Sequence, residues 1–103
     1  MTLFEAQTPI GLRVRVPRER WALIVRMKHP AMLGRENDVW QALEHPEEIR
    51  QSRTDENVLL FYRPEKPERW ICAVVKRIDQ HDGFLITAYP TDAVKEGQTI
   101  WNK

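Results

Sequence analysis

The sequence has one cysteine, Cys72, so no internal disulfide can close, and a reducing, cytoplasmic setting is the simplest expectation. No apolar run approaches the roughly 18 residues of a membrane span. The opening stretch "MTLFEAQTPIG" lacks a basic start followed by an apolar segment, so neither a secretory signal nor a membrane partner is expected. One cysteine and three widely spaced histidines do not make a zinc site. The carboxylates of residues 36–48 show no metal-ligand spacing, and a glycine-rich phosphate loop and a G-x-S-x-G elbow are both missing. The expectation is therefore no metal and no organic cofactor. Repeats and low-complexity segments are absent as well.

What is present suits one small soluble domain. The chain has 103 residues, 42% of them hydrophobic and 30% charged, enough for a single core and not for two. The domain is expected to span residues 1–103, with residues 1–17 as an N-terminal strand or arm. The net charge is only +1, but it is unevenly distributed. Residues 11–35 carry Arg13, Arg15, Arg18, Arg20, Arg26, Lys28 and Arg35 against Glu19 alone, whereas residues 36–48 carry five carboxylates and no cation. A local basic patch can attract a polyanion. The plainer reading is that the two blocks pair or lie solvated.

Periodicity gives a coarse plan. "GLRVRV", residues 11–16, alternates apolar and basic positions and predicts a half-buried strand at an edge. Pro17 ends it and opens a helix over 18–29, with Trp21, Ile24 and Val25 as its apolar stripe. His29 precedes Pro30, which disfavours helical geometry and should stop the helix. A second helix is expected over roughly 36–45, with Val39, Trp40 and Leu43 inward. Four strands then follow, at 47–53, 58–63, 70–77 and 83–90, joined by short polar connections that favour antiparallel neighbours. The "PEKPE" stretch is expected to stay out of any ladder. "TDAVKEGQTIWNK" is expected to form a short turn or helical piece, with Thr91, Lys95 and Gly97 as a loose cap-and-stop pattern, and an anchored tail. The predicted fold class is α+β: two N-terminal helices on one face of an antiparallel sheet of about four strands, with an extra N-terminal strand and an open opposite face.

Three groups carry candidate chemistry. In "RMKHP" a helix C-terminus favours the imidazolium of His29 while Arg26 and Lys28 oppose it, which suits a general acid or base. Cleaving RNA without a metal needs proton carriers for the 2′-hydroxyl and the leaving oxygen, and cations for the phosphorane charge. His29, Arg26 and Lys28 offer one carrier and two cations within a helical turn. The plainer reading of His29 is a helix-end residue. In the strand at 83–90, alternation puts Leu85, Thr87 and Tyr89 on the open face and Phe84, Ile86 and Ala88 toward the helices. Tyr89 there could stack on a base and Thr87 bond a phosphate; both residues also simply suit a strand. In "EEIRQSR", Arg50 and Ser52 share a face and are placed to hold a phosphate. Lys76 ends its strand and is a further candidate; surface cation is the default for it and for Arg50.

Arg26 and His29 in "RMKHP", Pro46, Ile49 and Arg50 in "HPEEIRQS", and Thr87, Ala88 and Tyr89 in "GFLITAYPT" resemble motifs of the barnase/EndoU/colicin/RelE-like nuclease-like domains, over residues 20–103 or so. That resemblance implies a RelE/barnase-like fold and a metal-independent endoribonuclease of toxin or phage-module type, with RNA as substrate and a cognate antitoxin protein as a partner. Taken with the reading of the residues above, it gives His29, Arg50 and Tyr89 as the expected catalytic residues and Arg26, Lys28, Ser52, Thr87 and Lys76 as the expected substrate-binding ones. The alternative is a non-catalytic RNA- or protein-binding module, monomeric or homodimeric through the strand at 11–16.

Overall fold

A computed structural model describes residues 1–94 and 96–103; Lys95, part of the expected cap-and-stop pattern, lies outside the described residues. The chain runs β1 (Thr2–Gln7), β2 (Arg13–Pro17), α1 (Arg18–Leu23), α2 (Glu36–Glu44), β3 (Glu48–Gln51), β4 (Val58–Lys66), β5 (Arg69–Arg77), β6 (Asp82–Thr91) and β7 (Gln98–Asn102). All seven strands form one sheet in the order β1-β2-β6-β5-β4-β3-β7.

This corrects the expected four-stranded antiparallel sheet. Strand accounts for 47% of the chain and helix for 23%, so sheet dominates. The sheet is mixed, because β2 runs parallel to β6 through Arg13↔Asp82, Val14↔Gly83 and Arg15↔Phe84. That pairing joins segments separated by both helices and three strands. Reading each strand against its nearest neighbour in sequence could not reach it. β2 is also no edge: β1 covers its other side from Gln7↔Arg13 to Thr2↔Pro17. It therefore offers no free edge for the self-pairing expected of residues 11–16.

Both helices lie on one face. Trp21, Ile24, Val39, Ala42 and Leu43 are buried there with Leu59, Phe61, Ile71, Ala73, Val75, Leu85 and Ala88 of the sheet. The first helix changes character midway. Beyond Leu23 it widens into a π turn over Ile24–Lys28, closed by the His29 N–H donating to the Ile24 carbonyl at 2.7 Å. His29 then leaves the helix at φ −140° and ψ 78°, as the following proline demands. Pro30–Met32 forms a single 3₁₀ turn, and Met32 is buried in the helix-side core.

Two local features shift side chains from their expected places. A bulge in the β5–β6 pairing lies between Val74↔Thr87 and Val75↔Leu85. Ile86 is the extra residue, so strict alternation breaks. Leu85 therefore faces the helices, and Ile86 packs with Tyr89 on the far side. The "PEKPE" stretch also joins a ladder: Pro64 pairs with Trp70 and Lys66 with Arg69, across an irregularity of the kind that admits a proline.

The far face is not open. β6 and β7 stand at positions three and seven of the sheet, four strand spacings or roughly 19 Å apart. Only residues 92–97 join them, and six linking residues reach at most about 25 Å. The link therefore has to cross the sheet face directly. Val94 packs on Leu60, Tyr62, Cys72 and Val74, which are buried beneath it. The crossing lands on β3 at Gly97, where φ is +82° and a Cβ would sit 2.4 Å from the Gln51 carbonyl oxygen. Gly97→Ala should cost about 2 kcal/mol or more in urea unfolding, through strain at positive φ and collision with backbone. Gly34, also at positive φ but with nothing within 4 Å of its Cβ position, is the control. Gly34→Ala should cost distinctly less.

Candidate functional site

The far face of the sheet carries a polar row. Register places Tyr89 of β6 opposite Cys72 of β5, Cys72 opposite Tyr62 of β4, and Tyr62 opposite Glu48 of β3. Tyr62 and Cys72 are buried under the crossing link, while Tyr89, nearer the edge, is partly exposed. Beyond Phe84, β6 has no pairing to β2, and the turn that follows His29 packs against β6. His29 thereby reaches Tyr89. Their ring centroids are 5.2 Å apart with planes inclined at 39°, within the range of favourable aromatic contact.

Burial sets the protonation of this row. It pushes the Tyr89 and Tyr62 phenols well above the ordinary 10.0, with Cys72 the next cause, and the nearby Glu96 carboxylate adds to both. Burial also pushes the Cys72 thiol up to about 12, opposed by Tyr89 and Tyr62. All three groups stay protonated at neutral pH, so Tyr89 presents a hydrogen-bond donor and not a base. Thr87 lies one row further along β6, opposite Val74, and its Oγ1 is buried without a hydrogen-bond partner among the described residues.

The other expected site residues are not gathered here. Arg50 lies on β3 next to the far end of the row, three strand spacings or roughly 14 Å from the line of Tyr89. Its Nε donates to Glu48 Oε2 at 2.8 Å and an Nη to the Gly97 carbonyl at 3.4 Å, while Thr99 donates to the same Glu48 oxygen. Ser52 shares a hydrogen bond with Thr54 at 3.1 Å within a turn. Lys76 bonds Asp55 at 2.5 Å and holds that carboxyl below its ordinary value. It lies four residues along β5 from Cys72, roughly 13 Å away. One phosphate cannot bridge His29 to Arg50 or Lys76 across such spans.

Charge at the helix end is better preserved. Arg13 pairs with Asp82 at 3.0 Å and Arg35 with Asp38 at 2.8 Å. Arg18, Arg20, Arg26 and Lys28 make no ion pair among the described residues. Within the acidic block, Glu44 accepts the Gln7 N–H and Glu48 takes Arg50. Arg35–Asp38 is the one bridge between the two blocks among the described residues, so the cations that precede His29 stay free. His45 packs edge-on to Trp40 at 5.8 Å, and His81 is exposed in the turn before β6.

Sequence reasoning passed over Tyr62, Cys72, Glu48 and Glu96. β4 and β5 are apolar on both faces, so alternation gave no face to either strand. A tyrosine and a cysteine within such runs were the available signal. The row makes a pH prediction. Groups with raised values stabilise the fold below their unfolded values, and that contribution is lost as pH rises through the folded ones. Stability should therefore fall from about pH 9 upward, as the unfolded Cys72 and then the unfolded tyrosines ionise. Phenolate absorbance should stay absent from the folded protein at pH 11 and appear only with unfolding.

Comparison with protein-family models, with curated proteins and with solved structures finds no match for this chain.

Proposed function

We propose that the chain binds RNA along the cationic helical segment 18–28 and cleaves it without a metal at His29. The observation that carries this reading is the His29–Tyr89 pair, 5.2 Å apart, at the end of a helix whose cations lack acidic partners among the described residues. In the reaction His29 takes the 2′-hydroxyl proton, the freed oxygen attacks phosphorus, and the P–O5′ bond breaks. The proton passes to the leaving oxygen, giving a 2′,3′-cyclic phosphate and a 5′-hydroxyl. Arg26 and Lys28 offset the charge on the phosphorane. Tyr89, kept protonated, donates to a phosphoryl oxygen. The resemblance to the barnase/EndoU/colicin/RelE-like domains supports the same reading, since its Arg26–His29 and Thr87–Tyr89 motifs share this edge. Arg50, Ser52 and Lys76 have no part in it, because each is engaged elsewhere.

A second reading, RNA binding without cleavage, is favoured by one observation. Among the described residues Tyr89 is the titratable group packed against His29, and its raised value makes it a weak acid. One experiment separates the two. Labelled RNA incubated with the protein in EDTA should yield cyclic-phosphate ends, and His29→Ala should lower the rate about 100-fold or more with the melting temperature nearly unchanged. RNA retained intact, with affinity that falls steeply with salt, would establish the binding-only reading. Absence of any RNA affinity at low salt would remove both.

A further inference from the structure

Three large apolar side chains project from the segment that carries the cations, and RNA binding gives them no task. Met27 is 75% exposed, Leu33 74% and Leu23 42%. Leu23 and Met27 stand one turn apart on the helix, and Leu33 follows the 3₁₀ turn that packs against it. The base beneath them is anchored, since Trp21, Ile24 and Met32 are buried in the helix-side core. The neighbouring charges are Arg18, Arg20, Arg26 and Lys28, and the one acid on this segment, Glu19, faces the N-terminal ammonium at 3.9 Å. A ribose-phosphate chain is met by cations and by stacking rings, not by aliphatic tips.

We infer that this tip is a peripheral docking site for an anionic lipid surface, with Met27, Leu33 and Leu23 entering the interface and Arg20, Arg26 and Lys28 meeting the headgroups. Two observations favour lipid over a protein partner. Side chains exposed to this degree project outward and do not line a groove. Three of them also fall far short of the 20–30 or so residues that a stable protein interface uses on each side, whereas lipid binding adds residue by residue from apolar insertion and headgroup charge. The fold has no helix long and apolar enough to cross a membrane among the described residues, so this contact would be superficial. Arg26 and Lys28 belong to both this site and the proposed RNA site, so lipid and RNA should compete.

The test uses the whole chain and vesicles free of RNA. The protein should co-sediment with phosphatidylcholine vesicles that contain phosphatidylserine and not with phosphatidylcholine alone. Met27→Ser and Leu33→Ser, which change no charge, should each lower binding roughly tenfold or more. Both sites are exposed, and an unchanged melting temperature will show that the variants fold. Met27→Trp gives an independent readout, with emission shifting to the blue only when anionic vesicles are added. Failure to sediment with the phosphatidylserine vesicles would overturn the proposal. So would undiminished binding by the serine variants, because the attraction would then be charge alone. Neither result bears on RNA cleavage, which is read without vesicles.

Discussion

Much of this molecule follows from how little of β6 is taken by β2. The two strands run parallel for three residue pairs, Arg13↔Asp82 to Arg15↔Phe84, and then part. A parallel strand continuing along β6 would have walled off Tyr89. Instead the chain leaves β2 at Pro17, enters the helix, and returns to the vacant stretch of β6 through His29 and the turn behind it. The π turn and the His29-Pro30 step make that return possible. The first widens the last helical turn, and the second forces the backbone out of the helix. An imidazole on the helical layer thus meets a phenol that belongs to the opposite face of the sheet, around an edge and not across a cleft.

The second constraint is the shortness of the link from β6 to β7. Six residues must span four strand spacings; of the described ones, Val94 packs over Tyr62 and Cys72 and Gly97 lands against β3. This leaves one end of the polar row, Tyr89, reachable by solvent, and encloses the rest. The charged groups at the other end, Arg50 and Glu48, satisfy each other. The two ends are therefore chemically different: one holds the His29 ring and cations with no ion pair among the described residues, the other a closed ion pair.

Local features of this fold were legible from local rules. The helix over residues 18–29, its arrest before Pro30 and the strands within 47–90 each follow from a pattern a few residues long. Tyr89 and Thr87 could be placed beside one another, and His29 marked as a helix end. What eluded the sequence depended on distance along the chain. β7 becomes a strand because the distant β3 pairs with it, and the parallel seam joins residues 13–15 to residues 82–84. The extra residue at Ile86 inverted the facing of Leu85, an effect no alternation rule foresees. Arg50 has no evident partner in the sequence, because Glu48, two residues away on the same strand face, belongs there to an acidic block; only the strand geometry pairs the two.

The central claim is spatial: His29 and Tyr89 share one edge of the sheet in solution. Nuclear Overhauser spectroscopy of the folded chain, with the three histidine rings assigned by single substitutions, tests it directly. The account predicts cross-peaks between the ring protons of His29 and those of Tyr89, as a centroid separation of 5.2 Å requires. A His29 ring that shows contacts to solvent alone, or to the helix-side core residues Phe61 and Leu43, would contradict it.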